Sequence, residues 1–274
     1  MTRILLGLFV LLLFLKFLIN RAFHSLLGGA QGRTLVSNQG WGEHLEEIAY
    51  DTPIPQLERL GTANAWRYMW ELVPEQSRVL DIGCSTGYLG YWLIQTRGCT
   101  VDGVEANEAD LVATRKRLHR VYAADVEQPG WEAQIPDQYD VILMMDVIEH
   151  LRCPDRVLRA VRPLLSPNGI VIINVPNVAN WRVRFELLRG RWDYRVTGLL
   201  DRTHVYFYTQ QTLKQLIVNN GFVVDTILPT VPADNLLGFN LGSSQSRKRL
   251  LNLSLESLPG LLAYQFLVRA HLQS

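Results

Sequence analysis

Asp146-Val-Ile-Glu-His150 places two carboxylates and an imidazole within five residues. If this segment opens a helix, Asp146, Glu149 and His150 stand at i, i+3 and i+4 and share one face. A second imidazole, His204, closes the distant string Asp201-Arg-Thr-His204. Side chains of these types do two kinds of chemistry. A histidine within hydrogen-bond reach of a hydroxyl takes its proton, which is worth about 10²–10⁴-fold in rate. Carboxylates and imidazoles also hold divalent ions of the Mg²⁺ kind, which lower the pKa of a hydroxyl and orient it; a mixed donor set does not fix which metal. Plainer roles stand beside these: Glu149 as a helix cap or ion-pair partner, His150 as a packed histidine under the next loop. Something must also deliver residues 146–150 to a cleft. Tyr139 to Met145 is a near-continuous apolar run, as expected of a central parallel strand.

A second constellation lies upstream. Val79 to Gly87 reads V-L-D-I-G-C-S-T-G. An apolar strand enters an acidic residue, Asp81, then a loop with Gly83 and Gly87, then a helix from Tyr88 to Thr96. Glycines there let backbone pass close to a ligand. The next apolar segment ends on Glu105, 24 positions after Asp81, where an open α/β sheet offers a carboxylate to ribose hydroxyls. A dinucleotide fingerprint aligned on Gly83 needs glycine at positions 85 and 88, which hold Ser85 and Tyr88, so a nicotinamide dinucleotide is disfavoured. Asp81 also opposes a pyrophosphate and suits a ligand carrying an amino group and a sulfonium. Any one acidic strand end is equally well a cap or a solvated turn; Asp81, Glu105, Asp125 and Asp146 taken together with the glycine loop are not.

The Asp81–Gly87 string resembles the glycine-rich loop of class I S-adenosylmethionine-dependent methyltransferases, usually written D-x-G-x-G-x-G, with Ser85 at the middle glycine. The resemblance spans roughly Trp66 to Phe222. It implies a doubly wound, seven-stranded, mostly parallel α/β sheet of the Rossmann-like kind. The seventh strand, Leu262 to His271, would run antiparallel. It implies S-adenosylmethionine as cofactor, bound by Asp81, Gly83, Ser85, Gly87, Glu105, Asp125 (at the adenine amino group) and Asp146. D-V-I-E-H with the later D-R-T-H is similar to two sets of methyltransferases. Small-RNA 3′-end 2′-O-methyltransferases bind a divalent metal with E-x-x-E-H and a later histidine. Ubiquinone-pathway O-methyltransferases carry a similar E-x-x-E-H. By that likeness His150 and His204 are the catalytic candidates. Asp146, Glu149, His150 and His204 are the candidate metal ligands, with Asp146 one methylene shorter than the glutamate it replaces. The stretch P-N-V-A-N-W-R-V-R is also similar to MetW-like proteins of methionine metabolism.

The elements around these sites read as alternating strands and helices. A strand covers Arg120 to Ala124. A helix over about Pro154 to Leu165 leads to a turn at Ser166-Pro-Asn-Gly169 and a strand over Ile170 to Val175. Residues 176–208 form an insertion after the fifth strand. In the family this region lines the substrate side of the cleft. Its Trp181, Arg182, Arg184, Arg189, Arg191, Trp192 and Arg195 suit an anionic or sugar-like acceptor or a headgroup surface; a solvated amphipathic helix fits equally. It ends in an aromatic, strand-like run, Val205 to Tyr208. A helix from Gln210 stops before Gly221, and Phe222 to Leu228 is the sixth strand. Ser243 to Arg249 reads as exposed and mobile. Upstream, Thr62 to Leu72 is helical and stops before Pro74. Trp41, Trp66 and Tyr68 line the cleft or simply fill core.

The chain has 274 residues and a net charge of +1, which removes a broad electrostatic case for nucleic acid. Three scattered cysteines make no disulfide framework and no thiolate zinc site. Ile4 to Ile19 is apolar except for Lys16. As a helix it reaches about 24 Å, against a hydrocarbon core of about 30 Å, so a snorkelling Lys16 and an interfacial continuation complete it. The expected organisation is a membrane anchor at 1–27, a linker with capping helices at 28–74 and the methyltransferase domain at 75–274. Cleavage after a signal peptide at Gly28-Gly29-Ala30 fits less well. Lys16, Arg21 and Arg33 on the C-terminal flank favour a cytoplasmic body. The function expected is hydroxyl methylation of a small, lipid-linked or glycan acceptor at that membrane face. A non-catalytic cofactor-binding module of the same fold is the alternative, allowed by Ser85 and Asp146. The oligomeric state is open.

Overall fold

In the computed structural model the described residues are 60–232, 235–236, 239–240 and 252–273. The apolar segment 4–19, the linker through residue 59 with Trp41, and Ser243 to Arg249 lie outside them. Among the described residues no helix is long and apolar enough to cross a membrane.

Asn64 opens helix α1, Ala65–Leu72: its side-chain oxygen accepts from the amides of Trp66 (2.9 Å) and Arg67 (3.2 Å). The helix ends at Val73, ahead of Pro74. Seven strands of the main sheet follow: β1 Arg78–Ile82, β2 Thr100–Glu105, β3 Arg120–Ala123, β4 Tyr139–Met145, β5 Leu165–Pro176, β6 Phe222–Thr230 and β7 Gln265–Leu272. The intervening helices are α2 Tyr88–Arg97, α3 Glu108–Arg117, α4 Pro154–Ala160, α5 Trp181–Leu188 and α6 Gln210–Asn219. The strands form one sheet in the order β3-β2-β1-β4-β5-β7-β6. β1 to β5 pair in parallel, and β7 lies antiparallel between β5 and β6.

The apolar runs are continuous because both sheet faces are covered. Leu80, Ile82, Ile142 and Met144 enter one cluster with Val157 and Leu158 of α4 and Leu213 and Ile217 of α6. Their neighbours Val79, Val141, Leu143 and Met145 enter another with Met69 of α1 and Trp92 and Leu93 of α2. The two-residue period of a strand sorts them.

Three local expectations change. The segment 146–150 is a pair of tight turns, not a helix opening: the amides of His150 and Leu151 bond to the carbonyls of Val147 and Ile148, and α4 starts only at Pro154. The left-handed backbone of Asp146 (φ 57°) breaks helical continuity there. Ser166 to Gly169 is an excursion inside β5, since Tyr139 pairs with Leu165 and Val141 with Ile170. Val205 to Tyr208 is not a strand; Tyr208 makes a single bridge with Asn177, and Val205 and Tyr206 bond to the Glu149 carbonyl.

Within β2, level with Leu80, buried Asp102 is satisfied on both oxygens. Oδ1 lies 2.8 Å from His119 Nδ1, and Oδ2 accepts from the Tyr139 hydroxyl at 2.8 Å. Tyr139→Phe leaves one buried carboxylate oxygen without its donor. The expected loss is about 1–3 kcal/mol of stability, read by urea unfolding; an unchanged midpoint would show that water replaces the hydroxyl.

Candidate active site

β1 ends one residue beyond Asp81, which is 2 % exposed and whose Oδ2 has no hydrogen-bond partner. Burial, then the nearby charge of Glu105, pushes this carboxyl up to about 7. The loop that follows needs left-handed backbone at three alternate positions, Gly83 (φ 66°), Ser85 (φ 47°) and Gly87 (φ 76°). A Cβ on Gly83 would meet Val147 Cγ2 at 2.9 Å. Ser85 tolerates its conformation because the loop is bound from both sides. Its amide donates to Glu105 Oε2 (2.7 Å), its hydroxyl to Asp110 Oδ2 (3.2 Å), and its carbonyl accepts from Thr114. Glu105 Oε1 also accepts from the Asn107 amide at 2.7 Å. Asp125, just past β3, is exposed and accepts from the amide of Glu127 and the side chain of Gln128. Cys84 is buried with its sulfur under Gly103; burial, then Asp81 and Glu105, pushes its thiol up, so it is a packing residue and no nucleophile. Trp66 packs its ring against Tyr88 at the start of α2, with centroids 5.9 Å apart.

An acid this buried and without a partner fits a cationic ligand group, and glycine backbone beside it fits a close approach. The residues present therefore suit an amino-acid moiety with an ammonium and, at Glu105, a diol.

The second constellation sits past β4, at the same edge of the sheet. Asp146 Oδ1 accepts from Asn174 Nδ2 (2.7 Å), at the end of β5, and from Gln265 Nε2 (2.8 Å), the first residue of β7. Surrounding protein pushes its carboxyl up against the effect of the Asn174 amide. The residue is open to the cleft, so water moderates that push. Glu149 is 1 % exposed and neither side-chain oxygen has a partner. Burial first, then the charge of Asp146, raises it well above the ordinary range. Two like charges at this edge thus compete for protons.

The insertion brings the second imidazole. The amides of Val205 and Tyr206 donate to the Glu149 carbonyl at 2.8 and 3.1 Å. That docking sets His204 against His150, with ring centroids 4.8 Å apart and edge to face. One ligand atom each of Glu149, His150 and His204 lies within 4.8 Å of the others. Burial, then His150, lowers the pKa of His204. A cavity of about 190 Å³ opens here, lined among others by Asp146, Glu149, His150, Asp201, His204 and Gln265. The trio's donor set suits a hard or borderline divalent ion. Asp146 stands at the cavity but outside the trio, so the structure groups three of the four expected ligands. Asn174, Asp201, Thr203 and Gln265 escaped the sequence reading. Asp201 and Thr203 lie inside a string already singled out, whereas nothing local marks Asn174 or Gln265.

Comparison with known proteins meets this geometry. The chain matches the methyltransferase domain family over residues 56–227 and belongs to that family. Its class is that of the S-adenosylmethionine-dependent methyltransferases. Over 104 residues it is 38 % identical to the ubiquinone biosynthesis O-methyltransferase of Aeromonas salmonicida, covering 36 % of this chain and 43 % of that protein. The match thus spans under half the length of that relative. Its fold is shared with an S-adenosylmethionine-dependent methyltransferase from Mesorhizobium loti (TM-score 0.50, 17 % identity, 78 % of this chain and 99 % of that one). It is shared too with one from Archaeoglobus fulgidus (TM-score 0.51, 21 % identity, 74 % and 89 %).

Asp81 yields a paired expectation. In the empty protein its carboxyl binds a proton up to about pH 7 that the unfolded chain releases near 3.8. The folded state therefore holds the extra proton between those values, and stability falls as pH rises through that window. Asp81→Asn removes the uncompensated charge, so the empty variant melts higher than the parent above pH 7. It binds S-adenosylmethionine about 10–100-fold more weakly, from the loss of a charged hydrogen bond. Thermal melts and titration calorimetry check both; a variant with lower melting temperature and unaltered affinity would contradict the assignment.

Proposed function

We propose that this protein transfers a methyl group from S-adenosylmethionine to a hydroxyl of a small, lipid-linked, glycan or quinone-like acceptor at a membrane face. The observation that carries the reading is the convergence of Glu149, His150 and His204 on one cavity at the sheet edge that also holds the Asp81 loop. The cofactor supplies an electrophilic methyl on a sulfonium, whose departure leaves a neutral thioether. Asp81 would take the cofactor's ammonium and Glu105 its ribose hydroxyls, while Gly83, Ser85 and Gly87 would let the backbone close on it and Asp125 would meet the adenine amino group. Asp146, clamped by Asn174 and Gln265, would border its methionine end. A hydroxyl entering the cavity meets the two imidazoles. His150 accepts its proton, and His204, held neutral by burial, remains able to accept a hydrogen bond or ligate.

The trio fits a Mg²⁺-type ion as well. Glu149, with both buried oxygens unpartnered, His150 and His204 would hold it. Such an ion would acidify a coordinated hydroxyl. Oxygen as the methylated atom is supported by the similarity to the Aeromonas ubiquinone biosynthesis O-methyltransferase. Membrane placement is supported by the apolar run 4–19. It is supported also by the exposed Leu187, Leu188, Tyr194 and Val196 of the insertion, which lie among its arginines. The body is proposed on the cytoplasmic side, a reading that the positive charges of Lys16, Arg21 and Arg33 support.

Labelled methyl transfer from S-adenosylmethionine to a membrane extract tests the chemistry. His150→Ala is expected to reduce transfer by about 10²–10⁴-fold, and chelator to reduce it with recovery on adding Mg²⁺. Transfer indifferent to both treatments would remove the reading. Fractionation tests the placement: the full chain is expected in the membrane pellet and a chain lacking residues 1–27 largely in the soluble fraction. Equal partition of the two would locate the attachment elsewhere.

A further inference from the structure

His150 is oriented by a short chain of hydrogen bonds whose directions follow from proton counting. Asp201 Oδ1 accepts from the Thr203 amide at 2.8 Å and from the Thr203 hydroxyl at 2.7 Å. A hydroxyl has one proton, and here Asp201 takes it. The Thr203 oxygen therefore presents only lone pairs to His150 Nδ1, which lies 3.1 Å away. The Thr203 carbonyl, at 3.3 Å from the same nitrogen, is an acceptor by nature. Two acceptors converge on Nδ1, so Nδ1 carries the hydrogen and Nε2 carries the lone pair. With the proton on Nε2 instead, the Nδ1 lone pair would face the carbonyl lone pairs and leave the site repulsive.

We propose that Asp201 and Thr203 are positioning residues that lock His150 as its Nδ1–H tautomer and so reserve Nε2 for the acceptor hydroxyl or the ion. The proposal rests on the reading of His150 given above. It deepens that reading, because it names what makes His150, the more exposed of the two imidazoles, a defined base. Proton transfer from the acceptor oxygen to Nε2 leaves an imidazolium whose Nδ1–H is still bonded to Thr203, with the Asp201 carboxylate behind it. The oxygen's electron pair forms the new bond to the methyl carbon, and the carbon–sulfur pair departs with the sulfur. The same two residues would fix the ring for ligation, since the partner of the non-ligating nitrogen sets tautomer and angle. The insertion then does more than contribute His204: by docking on Glu149 it brings its own turn, 201–204, to the ring of His150.

The test is a histidine ¹⁵N ring spectrum of the full-length protein at alkaline pH, with the His150 signal assigned by its absence from His150→Gln. The parent is expected to show Nδ1 protonated and Nε2 bare. Asp201→Ala, which releases the Thr203 turn, is expected to lose that signature in favour of a mixture, and Thr203→Ala to weaken it. Thr203→Ser, which keeps the hydroxyl, is expected to retain it. Variants are compared only where S-adenosylmethionine affinity is preserved, which shows that the fold and cofactor loop are intact. On an extract the parent methylates, kcat is expected to fall about 10–100-fold in Asp201→Ala. KM for S-adenosylmethionine should hold, and Thr203→Ser should recover most of the rate. A parent spectrum with Nε2 protonated, or an unchanged spectrum and kcat in both alanine variants, overturns the proposal. Failure of the underlying reading looks different: His150→Gln would methylate as well as the parent, whatever the ring tautomer.

Discussion

The structure depends on the chain leaving two adjacent parallel strands in opposite directions. After β1 it passes to α2, whose Trp92 and Leu93 pack on the face of Val79 and Val141. After β4 it passes to α4, whose Val157 and Leu158 pack on the face of Leu80 and Ile142. Neither connection crosses the space above β1 and β4, so a crevice opens at their carboxyl ends. Asp81 and Asp146 both stand on its rim, one from each strand. The remaining features, the glycine loop, the clamp on Asp146 and the docked insertion, are arranged around that gap.

Buried acids inside the sheet and at the crevice obey different rules. Asp102, away from the crevice, has a donor on each oxygen and reads as structure. Asp81 and Glu149, at the crevice, are as deeply buried and have orphan oxygens. Desolvating a carboxylate without a partner is unfavourable by several kcal/mol unless a proton, a cation or a ligand supplies the missing interaction. The raised pKa values of Asp81 and Glu149 express the first of those outcomes in the empty protein. A core that covers both faces of seven strands tolerates such strain at one edge. Ser85 shows the same tolerance in the backbone, held in a left-handed conformation by bonds to Glu105 and Asp110.

The insertion after β5 is not a passive flap. Its backbone amides at Val205 and Tyr206 take the Glu149 carbonyl, a group that the tight turns of 146–151 leave free of helical pairing. The failure of residues 146–150 to form a helix is therefore what lets the second histidine arrive. A helical opening would have spent that carbonyl on its own ladder and turned His150 around the helix axis.

The order of elements, the glycine loop and the acidic strand ends Asp81 and Asp146 were legible in the residues, while the antiparallel last strand followed from the family resemblance. Strand runs and turn glycines are local signals: apolar continuity reports two covered faces, and Gly83 and Gly87 report positive φ. The trio Glu149, His150 and His204 was half legible, since D-V-I-E-H and D-R-T-H announce its side chains but not their meeting. Only tertiary structure decided that Glu149, His150 and His204 converge while Asp146 turns to Asn174 and Gln265. It alone gave Thr203 to His150 and Gln265 to Asp146, across 53 and 119 positions of sequence. Such pairings are set by sheet order and by which backbone groups remain unsatisfied after the strands have formed, and no window of neighbouring residues carries that information.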